Sequence, residues 1–173
     1  SCITINMGDS IDSWTESKTA IIKHTVSSAG IGVDISGVAS IGDKVKDGLI
    51  SHAGKIPLAK AIDADIQTST QNGRRGQAVI YYSFFDPEVV QILSLKSPRT
   101  ETAKRINDLK YAIKLNDVFY ERIKEGKNIS LFSVREYPKL LELFNSANVE
   151  EFRSYYEELE SKGVSKGYIN ARE

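Results

Sequence analysis

Apolar and polar residues alternate over Cys2-Ile3-Thr4-Ile5-Asn6-Met7, which predicts a strand closed by a turn at Gly8. The period then lengthens: Ile11, Trp14, Ile21, Ile22, Thr25, Val26 and Ala29 fall near helical spacing. Ser10 or Asp9 can cap this helix, Ser13-x-x-Glu16 offers a capping box, and Gly30 is its expected stop. A second strand follows from Ile31 to Ile35, and then a Gly- and Ser-rich stretch from Ser36 to Gly54 reads as one long loop, of a length that usually has a function. Pro57 lies near the first turn of a helix bearing Leu58, Ala61, Ile62 and Ile66, which runs out at Gln71-Asn72-Gly73-Arg74-Arg75-Gly76. Residues 78–82 read as a strand. Asp86-Pro87-Glu88 opens a helix through Val89, Val90, Ile92 and Leu93, resumed as a polar helical piece over 97–106. Leu109, Tyr111, Ile113 and Leu115 alternate as a strand, and Asn116 or Asp117 caps a helix through Ile123 that Gly126 ends. Residues 128–132 form a further strand, Ser133-x-x-Glu136 caps a helix through Phe144, and a last helix with Val149, Phe152, Tyr155, Tyr156 and Leu159 stops at Gly163.

Strand and helix thus alternate about five times without an internal repeat, which predicts an α/β fold of parallel strands joined by right-handed crossovers. Ligands in such sheets bind at the carboxyl ends of strands, where Gly8-Asp9, the 36–54 loop and the 71–76 loop are expected to lie.

Composition narrows the function classes. At 173 residues the chain fits one domain. Its 23 basic and 23 acidic residues cancel, which argues against nucleic acid or a membrane surface as partner. One Cys and two His exclude an intramolecular disulfide and leave too few ligands for a structural zinc site. No apolar run approaches the ~18 residues of a membrane span, and no secretory signal is visible, so a cytoplasmic globular protein is expected. Asn128-Ile129-Ser130 fits the glycosylation sequon and is read as an accidental match. The chain opens at Ser1 directly into a strand, which reads as a start inside a longer fold.

Cys2 is a redox thiol or a small buried apolar residue. Asp9 is a helix cap or a partner for a ribose hydroxyl. Arg74 and Arg75 between glycines suit a phosphate, or belong to a solvated turn. Ala29-Gly30-Ile31-Gly32 contains G-x-G, but with helix before and strand after, the reverse of the dinucleotide fingerprint, so that reading is rejected. His24 and His52 are expected to be structural or solvated. Glu150, Glu151, Glu157, Glu158 and Glu160 make the wet face of the last helix. No Ser-His-Asp, H-E-x-x-H or Walker A pattern is present.

Taken together, Ser1-Cys2, Gly8-Asp9-Ser10-Ile11-Asp12-Ser13, Ser28-Ala29-Gly30-Ile31-Gly32-Val33, Gln71 to Gly76, Asp86-Pro87-Glu88 through Leu93-Ser94-Leu95-Lys96, and Ile129-Ser130-Leu131-Phe132-Ser133 resemble, in one order and without large gaps, the large catalytic subunit of class I ribonucleotide reductases. The resemblance implies parallel βα units forming about half of a ten-stranded α/β barrel, with the whole of 1–173 as one segment, its first half. It implies reduction of ribonucleotides to deoxyribonucleotides, as a ribonucleoside-diphosphate reductase acting within an assembly. Cys2 matches the N-terminal member of the redox-active cysteine pair, Ser1 a substrate-contacting serine, and Gly30 a point where backbone approaches substrate. Asp9, Ser10, Ile11 and Lys46 match the effector site at the dimer interface, where a deoxynucleotide or ATP binds. Residues 36–49 match specificity loop 1. Gln71, Asn72, Gly73, Arg74 and Arg75 match loop 2, Arg75 being the arginine that relays effector identity.

Two departures stand out. Ala39 and Lys46 occupy loop 1 positions where such relatives carry arginine, which predicts weaker phosphate contacts. The chain also lacks the N-x-C-x-E segment with the radical cysteine, the second redox cysteine and the C-terminal shuttle cysteines. One thiol cannot deliver two electrons by forming a disulfide alone, so the chain is not expected to turn over by itself. The implied partners are the remaining large-subunit segments, a small subunit carrying the radical cofactor, a second large subunit, and a thioredoxin- or glutaredoxin-type reductant. No cofactor is expected in this chain itself. The alternatives are a non-catalytic nucleotide-binding or interaction module from that barrel, and an unrelated α/β domain whose Arg74 and Arg75 bind a phosphorylated metabolite.

Overall fold

A computed structural model describes residues 2–45, 47–69, 73 and 75–170. Four parallel strands make the central sheet: β1 (Cys2–Asn6), β2 (Gly30–Asp34), β5 (Ala78–Ser83) and β6 (Lys110–Lys114), side by side in chain order. The register sets Cys2 opposite Gly30, Gly32 opposite Val79, and Val79 opposite Lys110. Helix α1 (Ile11–Val26) crosses from β1 to β2, and α2 (Lys55–Thr68) precedes β5. The chain continues through the short α3 (Val89–Ser94), α4 (Asp117–Glu125), β7 (Ile129–Leu131), α5 (Pro138–Asn145), α6 (Val149–Ser161) and β8 (Gly167–Ile169).

Side chains on a strand alternate between faces, and the two faces of this sheet differ. Ile31, Val33, Ile80 and Tyr82 are fully buried in a core shared with Ile21, Ile62 and Ile66 of the helices. The opposite face carries Cys2, Thr4, Asn6, Gly32, Tyr81 and Lys110 and has no helix layer over it among the described residues; Cys2, Thr4, Asn6 and Lys110 are exposed. Parallel sheets are ordinarily covered on both faces. This sheet is half-dressed. A second core, rich in interlocking aromatic rings, joins Phe84 and Phe85 at the end of β5 to Phe132, Phe152 and Tyr156.

Several expected boundaries move. Ser10 is the α1 cap, accepting from the Ser13 N–H at 3.1 Å, while Ser13 Oγ turns back to accept from the Gly8 N–H at 2.8 Å, so Ser13-x-x-Glu16 is not the cap. Gly30 does not stop α1: the helix closes at Ser27, Ser28 takes the left-handed turn at φ 64, and Gly30 is already in β2. The 36–54 stretch is not all loop, because β3 (Lys44–Val45) and β4 (Ile50–Ser51) pair antiparallel inside it. Within 97–106 only Thr102–Lys104 is helical, as a 3-10 turn. Residues 134–136 form a turn before α5, and β8 pairs antiparallel with β7 beyond the last expected element.

Candidate functional site

The candidate residues fall at two opposite ends of the sheet. Cys2, at the amino end of β1, is an exposed thiol and not a buried apolar residue. Gly30 stands beside it, and a Cβ at Gly30 would come within 3.2 Å of the Cys2 sulfur, so glycine is what leaves room for the thiol. The ring of Tyr81 lies over Gly32, whose added Cβ would meet it at 3.1 Å. Cys2, Thr4, Gly30, Gly32, Tyr81 and Lys110 line a depression of about 210 Å³ on the uncovered face.

Residues 75–77 lead into β5 and therefore lie at this same amino end, not at the carboxyl end expected for the 71–76 loop. Gln77 accepts from the Ile31 N–H through its carbonyl at 3.3 Å, and Arg75 reaches Asp108 at 3.6 Å with both side chains well exposed. Gly73 has φ 84. Ser1, Lys46, Gln71, Asn72 and Arg74 fall outside the described residues.

At the carboxyl end, Asp9 follows β1 and the 36–54 stretch follows β2. Asp9 does not cap α1: its Oδ1 accepts from the Ala39 N–H at 3.0 Å and its Oδ2 pairs with Arg135. Ile11 is 76 % exposed at the start of α1. The 36–54 stretch is clamped from several directions. Asp43, itself buried, accepts from the Ser40 N–H at 2.8 Å and the Ser133 hydroxyl at 2.7 Å. Arg135 Nε donates to the Lys44 carbonyl at 2.9 Å. Buried Glu88 accepts from the Ile41 N–H at 2.9 Å and the Lys55 N–H at 3.0 Å. Burial pushes the Glu88 carboxyl above the usual range and those backbone N–H groups pull it back. Beside it, Lys55 and Asp86 form a fully buried ion pair. Further along the same end, Lys114 bridges Asp34 at 2.7 Å and Asn145 at 2.9 Å.

Arg135, Glu88, Lys55 and Asp43 were not candidates from sequence. Apart from Ser40, three residues before Asp43, the partners named lie more than thirty residues away, and no local spacing signals such contacts; Asp86-Pro87-Glu88 carried the signature of a helix start and a part of the resemblance.

What this arrangement belongs to is decided by comparison. Residues 1–173, the whole chain, match the family described as "Ribonucleotide reductase, barrel domain". The chain belongs to that family. Its similarity to the ribonucleoside-diphosphate reductase 1 subunit alpha of Escherichia coli is 33 % identity over 161 residues, 92 % of this chain and 21 % of that protein. The subunit alpha of a Buchnera aphidicola strain is 32 % identical over 173 residues, 99 % of this chain and 22 % of its own length. That of phage T4 is 32 % identical over 175 residues, 100 % of this chain and 23 % of its own. The chain therefore spans about a fifth of these reductase subunits. A four-stranded parallel sheet with helices on one face is what a partial α/β barrel presents. Among the described residues no helix is long and apolar enough to cross a membrane.

Proposed function

We propose that this chain forms part of the catalytic barrel of a ribonucleotide reductase large subunit, its first half, and that it works only with the segments that complete the barrel. The observation that carries this reading is the uncovered sheet face with an exposed Cys2 set against Gly30. A thiol there meets a substrate held between this face and the strands that complete the barrel. Cys2 supplies one of the two thiols whose oxidation to a disulfide delivers two electrons to the 2′ position of the ribose, the second thiol coming from outside the chain. Ser1 and Gly30 then contact substrate.

Asp9, Ser10, Ile11 and Lys46 take part in a nucleotide effector site, with residues 36–49 as one specificity loop and 71–76 as the other. Arg75 relays effector identity to substrate, and a second large subunit completes the effector site. A small subunit supplies the radical cofactor, a dithiol reductant regenerates the cysteine pair, and the assembly works in the cytoplasm.

The test is deoxynucleotide formation by the complete assembly, containing the remaining large-subunit segments, a radical-generating small subunit and a dithiol reductant. Turnover with the native sequence and none with Cys2→Ser is the expected result. Undiminished turnover in Cys2→Ser removes the catalytic role and leaves a nucleotide-binding module.

A further inference from the structure

At the carboxyl end of the sheet, the first residue of α2 meets the turn that follows β5: Lys55 and Asp86 face each other with neither side chain exposed. They are 31 residues apart in sequence. The elements that carry them bury Ala59, Tyr82, Phe84, Phe85 and Val89 as well. An ammonium has three N–H donors, yet Lys55 Nζ has one acceptor among the described residues, Asp86 Oδ2. Asp86 in turn receives only one other hydrogen bond on its side chain, from the Glu88 N–H to Oδ1 at 2.9 Å. A buried ion pair holds its charges where further hydrogen bonds satisfy the remaining protons and lone pairs. Here the rest of the ammonium lacks them. Passing one proton from Lys55 to Asp86 removes both charges and leaves an uncharged amine against an uncharged carboxylic acid, the cheaper arrangement away from water. A desolvated lysine amine is a nucleophile.

Glu88 is tied to both partners. Its carboxylate accepts the Lys55 backbone N–H at 3.0 and 3.1 Å, and its own N–H is the donor on Asp86 Oδ1. Burial raises its affinity for a proton, and the charges of Asp86 and Lys55 both act on it. Tyr82, fully buried on β5, has a hydroxyl without a partner among the described residues, and the Asp86 charge acts on it too. We infer that Lys55 and Asp86 are a modification site, at which an amide forms between Nζ and Cγ and ties the start of α2 to the turn after β5. The Nζ lone pair attacks Cγ, a C–N bond forms, and the carbonyl electrons move onto Oδ1, where the Glu88 N–H stabilises them as a backbone donor does an oxyanion. Glu88 takes a proton from the nitrogen and gives it to the hydroxyl at Oδ2, whose bond to Cγ breaks as the carbonyl re-forms. One amine and one acid become one amide and one water; nothing is oxidised or reduced, and no co-reactant is needed. The product closes a ring over residues 55–86 and restricts the unfolded chain as a disulfide does, in a chain whose single cysteine allows no disulfide of its own. The inference uses only buried groups of this chain and does not rest on the reductase reading.

The test is the intact mass of the chain recovered from the complete assembly and fully denatured, followed by tryptic digestion. The native chain is expected to weigh one water less than its sequence requires. Trypsin then fails to cut after Lys55, and residues 47–60 emerge joined to residues 76–96 as one branched peptide. Lys55→Met and Asp86→Ala each restore the full mass. Glu88→Gln keeps both reacting groups but lacks the base, and it stays largely at full mass with the two peptides separate. A native chain at its full sequence mass, releasing 47–55 and 76–96 as separate peptides, overturns the inference, and so does a missing water that persists in Lys55→Met. The native protein alone gives the first of these answers, so it stands even where the variants fail to fold. Condensation in Glu88→Gln as complete and as fast as in the native chain overturns the role given to Glu88.

Discussion

Gly54 holds φ 89 and ψ −174, a region that belongs almost entirely to glycine. A Cβ there would drive into the Glu88 carboxylate, which itself receives the Ile41 and Lys55 backbone N–H groups. Strain and the loss of those bonds act together, so Gly54→Ala is expected to destabilise the fold by about 2–4 kcal/mol. Thermal unfolding of the assembly checks this, and a change within experimental scatter would show that the clamp is not held by Glu88. The same residues explain why the carboxyl-end site was only partly legible. Asp9 stands out because a motif surrounds it, whereas Glu88 looks like a helix-opening acid and Arg135 like one more surface charge. Ala39, expected to weaken phosphate contacts, is fully buried and gives only its N–H to Asp9; the guanidinium at this end comes from Arg135 instead.

At the scale of elements, an ion pair that joins α4 to α6 differs in worth from one within α6. Arg122 meets Glu160 through two hydrogen bonds of 2.7 and 2.6 Å, donates to the Asn128 carbonyl at 3.0 Å, and stacks on the Tyr156 ring at 4.6 Å. Its side chain is only 9 % exposed. Glu160→Ala strands a buried guanidinium and should cost about 2–4 kcal/mol. Glu150→Ala removes a carboxylate that is 79 % exposed and should cost no more than about 0.5 kcal/mol. Denaturant midpoints of the two variants test the contrast, and equal losses would refute it. Elements also mark where sequence reading stops. The main strands and helices announce themselves by period and caps. The two-residue strands β3 and β4 are too short to carry a period, and β8 is defined by its partner β7. The polar piece 97–106 has helix-compatible residues but no apolar stripe to bury, so only one short turn forms.

For the whole molecule, the governing feature is the sheet face without a helix layer, together with the free edges of β1 and β6 among the described residues. Such surfaces seek cover. The chain expressed alone is therefore expected to self-associate or aggregate and to bind hydrophobic dyes, and sedimentation should show species larger than a monomer. A monodisperse, cooperatively melting monomer would contradict this. The order of strands has a further consequence, in time rather than in space. Since β1, β2, β5 and β6 lie side by side in the order of synthesis, no later segment has to insert between earlier ones. Each βα unit can dock on a finished edge as it leaves the ribosome, through contacts of short sequence separation that form quickly. In the proposed assembly the slow event is then the closing of this growing edge against the strands that complete the barrel, and it is during that interval that the nascent protein most needs a chaperone.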